Sequence, residues 1–416
     1  MILRWPFINY FLRQIDGRTF DHLIKSIRRV TESSTRRGDK LLKSLNIKAV
    51  TQLDEFSALE DEWKALMRNS NSDNVFLTWE WISTWWECFS TGRQLWILTV
   101  RRIHDGKLLG LAPLNIQRVS YKNIFSYCEL SFMENQLAAP DHLDIISRAG
   151  SEEDVAAAFV SYIFENRSMW DAIRLDNIAS GSFFLHLILQ KKNSPTMIFY
   201  QPCPYIPLTE TWENYLSGLS KNARHNILRY GNRLRKEYPD QVNCWRVEKK
   251  DALLNMTDIF FSLHLDRKSE QQQESTLKEQ QLLVFIRKVV QKFNENGWLH
   301  FYMLTVQEEP IAAILCFYYK GLFSFYQQGH HPAWAVYSPG RQITAHAVQQ
   351  AILNGAREFD FLRGDESFKY TWTNKTHKDI CLAMPISKRG QLLFKMRNVS
   401  RRIRHIYQKK LLRAQE

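Results

Sequence analysis

The sequence predicts an α+β protein built from two similar units, each a mixed, mostly antiparallel twisted sheet flanked by helices. Three observations lead there. At 416 residues the chain is long for one hydrophobic core and natural for two. Helical spacing alternates with hairpin-length pairs of strands in both halves. A polar stretch at 191–196, with Pro202 and Pro204 shortly after it, punctuates the middle of the chain.

Residues 1–46 form a separate arm. Trp5, Phe7, Tyr10 and Phe11 precede a basic, Ser/Thr-rich stretch at 28–40. This pattern suits either a loosely packed arm or one that touches an anionic membrane face or a partner. The first unit, 47–192, opens on an edge strand at 47–50, after which Phe56, Leu59, Trp63 and Leu66 recur at helical spacing. A helix over 79–89 carries Trp81, Trp85 and Trp86. Each tryptophan buries ~200 Å² of surface, so this helix belongs to the core. Strands at 95–102 and 108–114 meet at Asp105-Gly106, a dipeptide made for a tight hairpin. A strand at 127–132, a helix at 154–165, a strand at 172–175 and a helix at 183–190 complete the unit.

The second unit, 205–386, begins with a helix at 212–219 and a strongly basic one after Ser220. Ala223, Ile227, Tyr230 and Leu234 make its apolar stripe. Lys221, Arg224, Arg229, Arg233, Arg235 and Lys236 carry positive charge with no acid between them. That face is either simply solvated or a surface for an anionic group such as a phosphate. Helices follow at 256–264 and through Leu282, Ile286, Val289 and Phe293; strands follow at 299–306, 311–319 and 322–328. Pro339-Gly340 opens a helix, a buried strand spans 359–362, a short aromatic helix spans 368–372, and a last strand lies at 380–385. The tail, 387–416, sets Leu392, Met396, Val399, Ile403 and Ile406 along one narrow apolar seam flanked by cations. The repeated element order hints at internal duplication.

Composition narrows the function classes. Hydrophobic residues at 44% and aromatics at 13% exclude wholesale disorder. The formal charge of +13 sits in the ends: residues 1–50 carry +7 and 387–416 carry +9, leaving the middle at −3. A near-neutral middle gives no footprint for DNA, and none is expected as a partner. Six cysteines without a C-x-x-C pair predict a reducing compartment, no disulfide framework and no zinc. His330-His331 lacks a third ligand at suitable spacing, so no metal is expected there either. The longest apolar run, 311–319, is about half of the ~20 residues a membrane span needs. A cytoplasmic protein is expected, with peripheral contact to an inner membrane through its basic ends as the further expectation.

Four segments carry a family resemblance: Ser220-Lys221-Asn222-Ala223-Arg224-His225-Asn226, Tyr337-Ser338-Pro339-Gly340, 355–361, and Gly364-Asp365-Glu366-Ser367-Phe368-Lys369-Tyr370-Thr371-Trp372. Over 210–390 the chain resembles the CelD-like branch of the GNAT N-acyltransferase superfamily, a bacterial group tied to cellulose and exopolysaccharide biosynthesis. Through Phe76-Leu77-Thr78-Trp79-Glu80-Trp81 and 110–114 the first unit resembles the branch's degenerate leading domain. The resemblance implies two tandem GNAT-like domains and an acyltransferase. Such an enzyme moves an acetyl or acyl group from acyl-CoA, a co-substrate and not a permanent cofactor, to an amine or hydroxyl of a small-molecule or saccharide acceptor. Tandem GNAT-like domains also resemble the Fem-type transferases, which use aminoacyl-tRNA, and tRNA is a partner only under that alternative. A third reading is a non-catalytic scaffold or regulator at the membrane surface.

The resemblance also assigns residues. The carrier's pyrophosphate would sit on amides at the start of the 339 helix, next to Ser338, Gly340, Arg341 and Gln342. This loop has one glycine where the family has two or three. Acyl transfer needs a base for the nucleophile and an acid for the leaving thiolate. The strand at 322–328 has no glutamate, which leaves Asp360 or Asp365 as base or substrate anchor and Tyr370 as acid. Arg224, Tyr326, Gln328, Arg363 and Lys369 are the substrate-binding candidates. Asp360 could equally pair with Arg363, and Asp365 could cap the helix after it.

Overall fold

The computed structural model describes residues 44–121, 125–191, 197–270, 272 and 274–396. The first half runs β1 (Leu45–Val50), α1 (Leu53–Ser57), α2 (Glu60–Arg68), α3 (Trp79–Phe89), β2 (Arg93–Leu95), β3 (Ile97–Arg102), β4 (Leu108–Ala112), β5 (Leu114–Tyr121), β6 (Phe125–Phe132), β7 (Ile146–Ser147), α4 (Glu152–Glu165), β8 (Ala172–Ala179) and α5 (Phe183–Gln190). The second runs β9 (Met197–Pro207), α6 (Trp212–Gly218), α7 (Lys221–Glu237), β10 (Val242–Arg246), α8 (Lys250–Glu270), α9 (Gln280–Glu295), β11 (Leu299–Val306), β12 (Glu309–Tyr319), β13 (Leu322–His330), α10 (Pro339–Leu353), β14 (Glu358–Asp360) and β15 (Lys375–Pro385). Residues 388–396 are helical. The arm at 1–43 and the tail beyond 396 lie outside the described residues, and so does the membrane contact expected of them. Of the expected seam, Leu392 and Met396 are described and exposed, and the helix there buries Leu393 and Phe394 instead. No helix among the described residues is long and apolar enough to cross a membrane.

Two sheets organise the chain. Strands β1-β3-β4-β7 form a small one, and eleven strands form a large one in the order β10-β11-β12-β13-β14-β9-β15-β8-β6-β5-β2. The large sheet crosses from one half to the other. β15 pairs antiparallel with β9 on one side and with β8 of the first half on the other. Each half holds one parallel pair. β6 and β8 align only at Glu129–Ala172 and Leu130–Ile173, and β13 and β14 only from Leu322–Glu358 to Ser324–Asp360. Beyond those residues the strands of each pair part.

The core ignores the boundary as well. Thr78 caps α3, its hydroxyl oxygen accepting the Trp81 N–H. The helix then buries Trp81 edge-on against Phe285 of α9, with ring centroids 4.9 Å apart. Phe317 and Tyr326 of the second half close the same cluster. A second core beneath α10 gathers Ile343, Ala347, Phe323, Phe359, Phe361 and Trp372.

Several expected boundaries shift. The helix read through Phe56 and Leu66 is two, broken at Ala58-Leu59. The strand expected at 359–362 covers 358–360, because Leu362 takes a left-handed conformation (φ 57°) that strand pairing excludes. The short aromatic helix is a single 3₁₀ turn, Lys369–Thr371. β9 runs straight through Pro202 and Pro204. Their carbonyls accept the N–H groups of Gly364 and Phe361, each at 2.9 Å.

Gly329 marks where α8 meets β13. The Leu263–His264 backbone occupies the space a Cβ would need, so the helix can lie against the strand only over a glycine. Gly329→Ala is expected to cost about 1–3 kcal/mol of overpacking. Urea unfolding of the variant beside the parent chain measures it.

Candidate functional site

The residues expected to hold an acyl carrier meet where α10 begins. Ser338 precedes the helix in the left-handed conformation (φ 49°), which turns its carbonyl back toward the first turn. The N–H groups of Arg341 and Gln342 both donate to that carbonyl, at 3.0 and 3.2 Å. Gln342 Nε2 donates to Tyr337 O at 2.8 Å. On the inner side Gln328 and His330 pack against the Cα of Gly340. Gln328 is held there by the Thr344 hydroxyl, which donates to its Oε1 at 3.0 Å. Its carbonyl accepts from His264 Nδ1 at 3.0 Å and Arg267 Nη1 at 3.2 Å. Burial pushes both His264 and His330 down to about 4, which leaves them neutral near pH 7. The open cradle of amides expected at Gly340 is thus closed by the protein's own groups. What this corner presents outward is side chains: Arg229 and Arg341 over the Tyr230 ring at 4.7 and 5.5 Å, and Arg233 over Tyr337 at 5.2 Å. Arg224, on the same helix α7, is exposed.

A second group of residues centres on Asp360, the last residue of β14 and the point where β13 and β14 part. Its Oδ1 accepts the Leu362 N–H at 2.8 Å, and its Oδ2 lies 2.7 Å from His142 Nε2. His142 belongs to the first half. Its Nδ1 lies 2.7 Å from Asp379 Oδ1 on β15, and its own N–H donates to Asp379 Oδ2, also at 2.7 Å. Burial alone would push the imidazole down. The Asp379 and Asp360 carboxylates outweigh it and hold the pKa well above the usual histidine range. One residue earlier, Asp141 Oδ2 accepts the Arg363 N–H at 2.9 Å, and the Arg363 guanidinium lies 3.3 Å from Asp141 Oδ1. The loop at 140–142 therefore clasps the second half through two ionic groups side by side.

A cavity of about 470 Å³ opens between the halves against this clasp. Its lining includes His142, Asp360, Asp379, Asp144, Ser182 and Arg357. Asp144 is pushed up to about 7 by burial, although the Ser182 hydroxyl (2.6 Å) and the Ile145 N–H (2.7 Å) both donate to it. His377 stacks on Tyr205 at 3.8 Å and bonds Glu358 at 2.8 Å, which raises its pKa.

The other expected site residues have structural partners. Lys369 is buried, and its Nζ donates to Arg363 O (2.7 Å), Leu362 O (3.1 Å) and Glu366 Oε2 (3.0 Å). With three donors used, it staples the turn after Asp360. Tyr326 lies in the shared core with its hydroxyl on Ala138 O at 2.8 Å. Tyr370 is 40% exposed and donates to Asp365 at 2.7 Å, so that pair stands at the surface. Asp360 and Arg363 do come together at the clasp, each paired with a residue of the first half. Sequence reasoning missed His142, Asp141, Asp144, Asp379, His264 and Arg267. The segment Pro140-Asp141-His142-Leu143-Asp144 held the one usable signal: an acid–histidine–acid cluster outside any periodic element.

Removing His142 leaves two buried carboxylates facing each other without a cation. His142→Ala is expected to destabilise the chain by about 3–5 kcal/mol, the range for breaking a buried ion pair from one side. Denaturant midpoints at fixed pH measure this. A cost below about 1 kcal/mol would show that the clasp does not hold the halves.

Comparison with known proteins agrees with this architecture. No curated protein matches the sequence. Among solved structures, FemX superposes with a TM-score of 0.55 at 12% identity, covering 84% of this chain and 99% of its own. A conserved protein of unknown function from Bacteroides thetaiotaomicron VPI-5482 superposes with a TM-score of 0.51 at 14% identity, covering 82% of this chain and 99% of its own. At these identities the likeness is one of fold. Residues 221–370 match the family model described as an acetyltransferase (GNAT) domain, and the chain has the GNAT fold, with mixed antiparallel sheets flanked by helices.

Proposed function

We propose that this chain is an acyltransferase that moves an acetyl or acyl group from acyl-CoA to an amine or hydroxyl acceptor. The observation that carries the reading is the parallel pair β13–β14. It stays together for three residue pairs and parts at a buried carboxylate, Asp360, beside a cavity large enough for a small acceptor. The cavity itself reaches toward the amino ends of the pair, where Leu322, Arg357 and Glu358 line it, and Asp360 is the acid it shares with the point of parting. Asp360 is the better carboxylate of the two considered, since Asp365 is exposed and already bonded to Tyr370. Tyr370, pushed up to about 12 by burial and by Asp365, is a reluctant donor to a leaving thiolate. The carrier's phosphates would be held by Arg341 and Arg229 through their side chains, because the Arg341 and Gln342 amides already donate to Ser338 O. The CelD-like resemblance supports a role in bacterial polysaccharide or cell-envelope biosynthesis, and the basic ends of the chain support a position at the cytoplasmic face of the inner membrane.

The closed Gly340 corner favours a second reading, a GNAT-fold scaffold without catalysis. The exposed cations of α7 favour a third, a Fem-type transferase fed by aminoacyl-tRNA. Thermal unfolding with acyl-CoA separates the first two. At one hundred times Kd a ligand adds about 2.7 kcal/mol, and Arg341→Glu is expected to abolish that gain. No stabilisation by any acyl-CoA turns the assignment to the scaffold. If tRNA binds instead, and its affinity falls steeply and linearly on a log–log plot against salt, the third reading replaces the first.

A further inference from the structure

The clasp between the halves contains a set of donor atoms that the acyl-transfer reading does not use. Cys203 lies on β9, and Asp379 on the neighbouring strand β15, whose His377 is the register partner of Cys203. His142 reaches them from the loop of the first half. One ligand atom each from His142, Cys203 and Asp379 lie within 4.8 Å of one another, and Cys203 and Asp379 are fully buried. The Cys203 thiol has one hydrogen-bond contact, a long 3.8 Å approach to Gln201 O. It stands among the carboxylates of Asp379, Asp141 and Asp360, with Lys369 also acting on it.

We propose that His142 Nδ1, Cys203 Sγ and an Asp379 carboxylate oxygen form a binding site for a zinc-like divalent cation, with water from the cavity as the fourth ligand. Three features support it. Asp360 accepts at Nε2, on the opposite edge of the imidazole, which is how a carboxylate orients a metal-binding histidine. The other Asp379 oxygen is pinned by the His142 N–H, so that carboxylate needs only a small movement to coordinate. His142 and Asp379 line the cavity, which puts the open position on the solvent-accessible side. A nitrogen, sulfur and oxygen donor set suits zinc and works against magnesium or calcium, which take oxygen alone.

Charge closes as well. Metal entry displaces one proton from the imidazolium and one from the thiol. Four bonds form, from the Nδ1 lone pair, the thiolate, the Asp379 oxygen and a cavity water; the two displaced protons leave to solvent, and a dication replaces them. The buried group, with Asp141, Asp360, Asp379, Arg363 and Lys369 around it, keeps its net charge. The site does not depend on acyl transfer. Its failure would leave that reading standing, and the reverse holds too.

The test uses the full chain, dialysed against a chelator and titrated with Co²⁺. One equivalent should bind and give a thiolate-to-cobalt charge-transfer absorption, which Zn²⁺ removes and Mg²⁺ leaves in place. Cys203→Ser should eliminate that band while unfolding cooperatively without metal; Cys244→Ala should retain it. Asp360→Asn should keep the band with affinity reduced about 10- to 100-fold, the usual effect of removing an outer-shell partner. No charge-transfer band in the parent chain, or a band that survives Cys203→Ser, overturns the site. Should Cys203→Ser fail to fold, His142→Gln serves in its place: a band of undiminished affinity there overturns the site equally.

Discussion

Strand β15 determines what the rest of the molecule can be. By hydrogen-bonding β9 on one edge and β8 on the other, it makes two sheets of two halves into one. Everything functional follows from that join. It brings Asp379 beside Cys203 and within reach of the first half's His142. It sets β14 two strands away, where Asp360 faces the same imidazole from its other edge. The cavity is the space left where the loop at 140–145 cannot fill the angle between the halves.

The two ends of β13 do different work. At its start Leu322 and Ser324 are paired with β14, and the cavity opens there. Toward its end the strand has lost that partner, and the freed Gln328 carbonyl is taken by His264 and Arg267 of α8. A backbone acceptor left bare at that depth would cost about 1–3 kcal/mol, so some donor must occupy it. Here the protein supplies the donors itself, and the close approach over Gly329 lets α8 deliver them. A ligand entering at that edge would have to replace these bonds, and one entering from the cavity side meets Asp360 and Asp379 already bonded to His142.

How much of this was legible depended on the range of the cause. Local causes were readable. Thr78 before Trp79–Phe89 and Ser182 before Phe183–Gln190 are side-chain caps, and both helices lie where the spacing put them. Hairpins at Asp105-Gly106 and Lys320-Gly321 were readable for the same reason. β9 was not, because two prolines in a strand ordinarily mark an edge or a loop. The Pro202 and Pro204 carbonyls still accept the distant N–H groups of Gly364 and Phe361, so the strand keeps these acceptors paired although the prolines supply no donor. Asp360 and Arg363 stood out as candidates, but their partners could not. His142 and Asp379 are separated by 237 positions, and no periodicity links them. Cysteine spacing is silent on Cys203 too, since the donor atoms near it come from distant segments and leave no motif to count.

The energetics of the clasp bear on whether it is merely structural. Buried carboxylates from Asp141, Asp360 and Asp379 face one partly buried imidazole and one partly buried guanidinium across the seam between halves. Replacing such a buried group by well-packed apolar side chains is often neutral or stabilising by about 1–4 kcal/mol. A chain that already buries Trp81 against Phe285 across the same seam has a cheaper way to hold its halves together. Stability alone therefore does not account for charges at this place. Position accounts for part of them: His142, Asp360 and Asp379 line the cavity wall, where a fixed field in a low-dielectric setting acts most strongly on a bound ligand. The clasp is better understood as a preorganised polar wall, held by the sheet that β15 completes, than as a bond between domains.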